Sequence, residues 1–398
     1  MALRRDTKLQ LAPHVQLSLV GGDLLVYAGH AELSYERDKL PVVAAFVAPH
    51  TMEEALSELG AGIRTRHEWA ELSAFVIELV EAGVLVAEGL PAVGYRTHGF
   101  AAASVHIAML DDAARTQAFV EAIRREVRPG DVVLDIGTGT GVLALAAAQA
   151  GAAHVYAIEE STIADTAEAV FRRAGVAERV SVIRGRSTQI ELPEPANVLV
   201  SEMIGHEPLA EHVLETTADA LARHLVSDAR LIPMRLRVLA SAVTIDDVTL
   251  QRQVFDAKHV DVWSERYGVD LSGLLEDNSD TMSQFLVEPG VAAAWAALSP
   301  AVVLVEVDLG APPRELDASV EVRVVQDGVL DGVVVFFELD VDRDHALTNR
   351  TTRTDCHWKC PVWLLAERTA ARAGDVLTLR YRRVLGCTKL EVVRRTTP

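Results

Sequence analysis

The chain is poor in three things, and each absence excludes a class of protein. Only 3 cysteines occur in 398 residues, Cys356, Cys360 and Cys387, all near the C-terminal end. Too few and too crowded for a disulfide framework, they predict a reducing, cytoplasmic compartment. Long apolar runs are missing as well: no stretch approaches the ~20 residues that span a bilayer, so no membrane partner is expected. Met1-Ala2-Leu3-Arg4-Arg5 leads to Asp6, Lys8 and Pro13 rather than to an apolar signal core. Positive charge is the third scarcity, with 38 Lys and Arg against 57 Asp and Glu and a net charge of −19. The deficit is even: 7 basic against 13 acidic residues over 1–95, 13 against 19 over 96–235, and 18 against 25 over 236–398. Nucleic-acid affinity rests on clustered cations that displace counterions, so no nucleic acid is expected as partner. A basic substrate is mildly favoured.

What is present predicts an α/β protein of several domains. Residues 14–28 form two short alternating runs around Gly21-Gly22-Asp23, a hairpin pattern. Helical spacing follows over 36–47, over 52–59 after Thr51, and over 67–82, where Trp69, Leu72, Phe75, Val76, Leu79 and Val80 share one face. Gly83 stops that helix, and Val84-Leu85-Val86 reads as a closing strand. The spacing predicts a small winged-helix-like domain over 1–95, with Pro91 and Gly94 marking a linker.

From 96 to 235 helices and strands alternate: helix 114–126, strand 132–135, helix 141–150, strand 154–158, helix 163–174, strands 180–184 and 197–201, helix 209–223. This is the pattern of a doubly wound sheet with a parallel core, closed by Pro233. Over 236–398, period-two runs at 237–243, 302–307, 319–325, 332–340, 363–366 and 376–385 predict a mostly antiparallel sheet or barrel.

One turn carries a nucleotide-like signature. Val132-Val133-Leu134-Asp135 runs into Gly137-Thr138-Gly139-Thr140-Gly141 and then an alanine-rich helix. Glycines let a ligand approach backbone N–H groups where a Cβ would intrude. Glu159 ends the next strand, where a carboxylate can accept two ribose hydroxyls. The spacing is GxGxG behind an acid, not the GxGxxG that packs a pyrophosphate, so S-adenosylmethionine is expected rather than a dinucleotide.

Strand 197–201 ends in Ser201-Glu202-Met203-Ile204-Gly205-His206-Glu207-Pro208-Leu209-Ala210-Glu211. Gly205 and Pro208 interrupt any helix there, so Glu202 and Glu211 can curl toward one point. The motif SE-x-x-G-x-x-x-x-x-E resembles the double-glutamate loop of the protein arginine methyltransferases. Upstream, Val105-His106-Ile107-Ala108-Met109-Leu110-Asp111 with Ala114-Arg115-Thr116 resembles that family's "IHxxMLxDxxRT". Downstream, Val262-Trp263, Tyr267-Gly268-Val269-Asp270 and Cys356-His357-Trp358-Lys359 resemble its barrel landmarks, the last a variant of its Thr-His-Trp loop.

The resemblance runs over about 96–390. It implies a Rossmann-like class I methyltransferase domain followed by a β-barrel domain, with a dimerisation arm near 244–262 and a homodimer. It also implies that Arg115 binds the methionine carboxylate, that His106 and Met109 line the cofactor, and that Gly137 lies beneath it. Asp135, Gly139 and Gly141 belong to the same cradle, Glu159 would hold the ribose, and Ser187 and Thr188 would border the adenine. Thr188 stands where the family usually has Glu, Met203 and His206 replace its usual loop residues, and Phe100 only partly meets a Tyr pair, with Arg96 and Thr97 replacing aromatics.

A guanidinium has a pKa above roughly 12, so its nitrogens are poor nucleophiles until charge is drawn from one of them. Glu202 and Glu211 would grip an arginine side chain and do so, while His357 would orient Glu202 or relay the departing proton. O-methylation of a peptide carboxylate is the rival chemistry, and a non-catalytic peptide-binding scaffold the rival class. Cys356 and Cys360 bracket His357 without a second pair, so no metal is expected. The layout of 1–95 resembles the PqqD-like peptide-recognition domains of enzymes that modify ribosomally made peptides. That resemblance implies a leader peptide adding a strand to the hairpin edge and packing on the third helix.

Overall fold

A computed structural model of the chain describes residues 7–12, 15–20, 23–28, 31–58, 65–82, 84–87, 99–255, 257–275, 284–384 and 387–396. The Gly21-Gly22 turn, the helix stop at Gly83, the linker at Pro91 and Gly94, and Arg96 and Thr97 lie outside the described residues. Two compact units divide the chain: Met1–His106 with Glu160–Asp165, and Ile107–Glu159 with Thr166–Pro398.

In the first unit, β1 (Lys8–Leu11), β5 (His50–Thr51) and β6 (Leu85–Ala87) form one small sheet in the order β5-β1-β6. A second contains β2 (Gln16–Val20), β3 (Asp23–Ala28) and β4 (Ala31–Glu36), in that order. The expected hairpin is β2 and β3, with Val20 opposite Asp23 and Gln16 opposite Tyr27. The helix expected over 36–47 is shorter: a single 3-10 turn at Arg37–Lys39 and α1 (Leu40–Ala44), with Pro41 in its first turn. Residues before it continue the sheet as β4. After α2 (Met52–Glu58), α3 (Arg66–Glu81) begins at Thr65, whose hydroxyl accepts from the Glu68 N–H at 3.1 Å while Glu68 accepts from the Thr65 N–H at 2.9 Å. Leu24, Val26, Phe46, Leu56, Phe75, Val76 and Leu79 close a core belonging to this unit alone.

The second unit carries the rest. Helix α4 (Ala103–Asp111) enters it, and α5 (Ala113–Glu126) follows, capped by Asp112. Then come β7 (Val132–Ile136), α6 (Val142–Ala150), β8 (His154–Glu159), α7 (Ala164–Arg173), β9 (Val180–Arg184), β10 (Ala196–Val200), α8 (Val213–Arg223) and β11 (Leu225–Ile232). The strands form one parallel sheet in the order β11-β10-β7-β8-β9. The order reverses between β7 and β10, and a ligand crevice opens beyond the C-terminal ends of strands at such a point. Strand β11 escaped sequence reading because Leu-Val-Ser-Asp-Ala-Arg-Leu-Ile, at the sheet edge, has no clean periodicity.

Antiparallel structure begins at β12 (Arg235–Thr244). Beyond it lie α9 (Asp247–Gln253), α10 (Ala257–Tyr267), β13 (Gln284–Val287), α11 (Pro289–Ala293), β14 (Ala296–Ala297), β15 (Val302–Asp308), β16 (Leu316–Arg323), β17 (Gly328–Asp340), β18 (Ala346–Thr348), β19 (Cys360–Ala371), β20 (Val376–Val384) and β21 (Cys387–Thr396). Among the described residues these strands hydrogen-bond as two sheets rather than one closed barrel: a larger one with the path β13-β19-β17-β12-β14, and a smaller β16-β20-β21. The segment expected as an arm, 244–262, holds α9 and the start of α10, with Phe255 and Val262 exposed. A single core joins Phe119, Val133 and Val198 of the parallel half to Val335, Phe337, Leu379 and Tyr381 of the antiparallel half. No helix of the described residues is long and apolar enough to cross a membrane.

Candidate active site

The crevice at the end of β7 is built from backbone. Gly137, Gly139 and Gly141 all take positive φ, at 74°, 56° and 83°. The N–H groups of Gly137 and Thr138 donate to the Ile158 carbonyl at 2.9 and 3.0 Å, pinning the turn to β8. Gly139 N–H donates to Glu159 Oε2 at 2.9 Å. Asp135 lies beneath, and its Oδ2 accepts from the Thr138 hydroxyl at 2.6 Å. Burial, and then the negative charge of Glu159, push Asp135 up to about 7 against the Thr138 hydrogen bond.

This crevice fits the expected cofactor. A Cβ at Gly137 would meet only Met203 Cγ within reach, at 3.7 Å, so the backbone there borders open space that a side chain would fill. At Gly141 a Cβ would fall 2.5 Å from the Phe171 ring, which closes the opposite side. Glu159 presents a carboxylate at the end of β8, and the 3-10 turn Ser187–Gln189 follows β9 with Ser187 buried and Thr188 exposed. His106 belongs to the first unit, where its Nε2 lies 2.6 Å from the Phe100 carbonyl.

Arg115 projects from the first turn of α5 and is itself buried. Its Nε donates to Glu202 Oε2 at 3.0 Å, and its Nη2 makes a second bond to the same oxygen. Nη2 also lies 3.7 Å from the Met109 sulfur. The cation expected to hold the methionine carboxylate is therefore paired with Glu202.

Glu211 behaves differently. No donor among the described residues hydrogen-bonds its carboxylate. Burial first and Glu202 second push it up to about 8, with Arg115 pulling the other way. The loop between the two glutamates folds back on Gly205, where a Cβ would stand 2.9 Å from the Glu207 carbonyl and 3.2 Å from Glu211 Oε1.

His357 sits at the same site without bonding Glu202. Its N–H and ring Nδ1 both reach Asp112 Oδ2, at 3.2 and 3.1 Å, which corrects the expectation that it orients Glu202 directly. Asp112 also accepts from the Arg115 N–H at 3.2 Å and from Arg353 Nη2 at 3.0 Å. Burial raises the Asp112 carboxyl, but the His357 ring, the two N–H groups and Arg353 together hold it below the ordinary range. Trp358 is fully buried and its indole donates to the Ile204 carbonyl at 2.6 Å, bracing the loop from the antiparallel half. Lys359 N–H donates to His206 Nδ1 at 3.1 Å.

Sequence reading missed Asp112 and Glu207. The signal for Asp112 was present, because the D of the resembled "MLxDxxRT" pattern falls on it. Glu207 stands at an unspecified position of the loop motif and had no signal. Cys356 and Cys360 are buried thiols that donate weakly to the Trp358 and Asn349 carbonyls.

Residues 113–233 match the sequence model of the ribosomal protein L11 methyltransferase, and 243–384 match the arginine methyltransferase oligomerization subdomain. An arginine N(omega)-methyltransferase of Streptomyces achromogenes subsp. streptozoticus is 31% identical over 281 residues, 69% of this chain and 74% of that protein. Protein arginine N-methyltransferase 1 of Schizosaccharomyces pombe is 26% identical over 73% of this chain and 84% of its own length. The probable protein arginine N-methyltransferase 1.2 of Arabidopsis thaliana is 34% identical over 47% of this chain, and the match spans half of that protein. Arabidopsis protein arginine methyltransferase 10, solved in an open conformation, superposes with a TM-score of 0.59 at 25% identity, covering 69% of this chain and 86% of that one. The Trypanosoma brucei PRMT1 enzyme-prozyme complex with AdoHcy, at a TM-score of 0.61 and 23% identity over 72% of this chain and 89% of that one, shares the fold. This chain belongs to the arginine methyltransferase family and is an S-adenosylmethionine-dependent methyltransferase.

Proposed function

We propose that this methyltransferase acts on a guanidinium nitrogen of arginine in a ribosomally made peptide, recruited through its N-terminal unit. The observation that carries the acceptor is the asymmetry of the two glutamates. Glu202 is occupied by Arg115, whereas Glu211 has no hydrogen-bonded partner among the described residues and is pushed up to about 8. A partly desolvated carboxyl beside a second carboxylate is a site waiting for a cation. A carboxylate acceptor would find Arg115 already paired with Glu202 and would keep Glu211 protonated rather than pair with it, which disfavours O-methylation.

Arg115, Asp135, Gly137, Gly139, Gly141, Glu159, Ser187 and Thr188 would hold the cofactor, with Met109 beside it. S-Adenosylmethionine supplies a methyl group on a sulfonium when bound. As the acceptor guanidinium enters, Glu211 gives up its proton to solvent and pairs with it, and Glu202, already hydrogen-bonded to Arg115, takes the other edge. The two carboxylates localise positive charge away from one nitrogen, which is held for in-line attack. Proximity and preorganised charge supply most of the acceleration. His357, its Nδ1 committed to Asp112, offers Nε2 to the proton released after transfer.

The N-terminal unit supports recruitment. The outer strands β2 and β4 have no further strand beside them among the described residues. Leu17 and Leu19 are exposed on β2, and Trp69 and Ile77 on α3. Such an edge with apolar neighbours suits an extended peptide. A homodimer in the cytoplasm completes the reading, supported by the match to the oligomerization subdomain and by the exposed Phe255, Val262 and Tyr267 of the arm segment.

Free arginine is a second acceptor, favoured by the likeness to the Streptomyces arginine N(omega)-methyltransferase. Incubating the enzyme with cofactor and either free arginine or an arginine-containing peptide, followed by fragment mass spectrometry, decides among these. One added methyl on a peptide arginine is expected. Methylation of the free amino acid alone replaces the peptide reading, and a base-labile methyl on Asp or Glu overturns the acceptor.

A further inference from the structure

Among the described residues Glu211 makes no fixing bond of its own through its carboxylate, so something else must place it. Its carboxylate packs on Gly205, and its backbone lies between two residues that are held. Four positions before it, Glu207 turns away from the cofactor crevice and toward the antiparallel half. Glu207 Oε1 accepts from the Tyr381 hydroxyl at 2.5 Å. Its Oε2 accepts from the Thr388 hydroxyl at 3.1 Å and from the Leu209 N–H at 3.0 Å.

Immediately after Glu211, His212 takes φ 58°, left-handed backbone that costs a residue with a Cβ roughly 1–2 kcal/mol. Arg383 faces it, with Nη2 3.5 Å from His212 Nδ1, and makes two bonds to Glu215 in the first turn of α8, at 3.2 and 3.1 Å. Tyr381 and Arg383 lie on β20, Thr388 lies on β21, and Arg383 stands opposite Thr388 in the ladder.

We propose that the β20–β21 hairpin is a clasp for the acceptor-binding loop, with Tyr381 a positioning residue that sets Glu211 by holding Glu207 while Arg383 holds the far side. The inference rests on the reading of Glu211 as an acceptor-binding carboxylate. Nothing in the motif predicts it, because Glu207 falls at a variable position of the loop and its partners come from strands more than 170 residues downstream. Tyr381 is buried, and burial next to Glu207 raises its hydroxyl well above the ordinary value, so it remains a donor. Its ring belongs to the main core, so Tyr381→Phe keeps the packing and removes only the latch.

The test uses the full chain with S-adenosylhomocysteine as the cofactor-site probe. In Tyr381→Phe, kcat/KM for the arginine acceptor should fall about tenfold or more, while S-adenosylhomocysteine affinity stays within about twofold. Peptide-level amide exchange of the probe complex should quicken over 203–212 and stay unchanged over 132–159. Adding Tyr381→Phe to Glu207→Ala should cost nothing further, because Glu207→Ala already removes the bond that Tyr381→Phe breaks. Parallel loss of probe affinity and acceptor turnover, wild-type turnover in Tyr381→Phe, or full additivity with Glu207→Ala overturns the clasp. If the wild-type enzyme transfers nothing to arginine, the acceptor reading fails, and the exchange pattern alone still decides whether Tyr381 holds the loop.

Discussion

Asp112 and His357, 245 positions apart, are bonded twice through one carboxylate oxygen: Oδ2 accepts from both the N–H and the ring Nδ1 of His357. An ionised carboxylate only accepts, so Nδ1 carries the proton and a neutral ring leaves Nε2 as its basic nitrogen. Asp112→Asn keeps a good helix cap for α5 but offers a donor to Nδ1. It should lower kcat by roughly one to two orders of magnitude, with cofactor affinity little changed, as measured by steady-state kinetics beside cofactor titration. The Asp112 carboxyl is depressed in the fold, so its contribution to stability is present above the ordinary carboxylate pKa and is lost as pH falls through the lower folded value. Acid denaturation of Asp112→Asn should therefore be less steep than that of the wild type.

Glu211 has the opposite sign. Its folded value of about 8 lies above its ordinary one, so the unfolded chain ionises first and folding grows less favourable as pH rises between the two. Glu211→Gln should raise the melting temperature at pH 8 and leave it unchanged near pH 4. About 1.4 kcal/mol per pKa unit sets an upper bound of roughly 4–5 kcal/mol, which partial exposure reduces. Methylation of arginine should be lost in the same variant while S-adenosylhomocysteine still binds. Near-normal turnover would remove the guanidinium clamp.

Two glycines of one turn should respond differently to alanine. At Gly141 the new Cβ meets the Phe171 ring at 2.5 Å in addition to the positive φ, so the variant should lose on the order of 3 kcal/mol by denaturant titration. At Gly137 the nearest atom is 3.7 Å away, so only the backbone penalty of roughly 1–2 kcal/mol applies. There the larger loss should be cofactor affinity, read by calorimetry, because the methyl occupies the cradle.

The N-terminal core closes on its own residues, so deleting 1–90 should leave the methyltransferase half folded. The deletion should raise KM for a leader-bearing peptide far more than for a leaderless one. Equal effects on both would rule out recruitment.

The parallel half, β11 apart, was legible because its strands are short apolar runs delivering glycine turns and acids to one edge. Helix boundaries over 114–126 and 141–150 fell within a residue of α5 and α6 for the same reason. The antiparallel half was legible only where one face is buried. Strand β21, with Lys389, Glu391 and Arg395 among its residues, lacks alternation strong enough to read, yet it supplies Thr388 to the loop. The site divided the same way. Motif residues on strand ends could be named from sequence, whereas the partners of His357 and Glu207 could not, since both bonds join segments that only tertiary packing brings together.

The shared core from Phe119 to Leu390 has a practical meaning for anyone rebuilding this enzyme. Domain grafting ordinarily assumes that a cofactor half can be lifted out and given a new substrate half. Here the seam at Pro233 runs through continuous packing, and the residues steadying the acceptor loop sit across it. Exchanging the antiparallel half would strip the parallel sheet of its hydrophobic backing and the loop of its fastening together. New specificity is better sought by altering the side chains that line the loop, or by replacing the separately cored N-terminal unit, than by recombination at that junction.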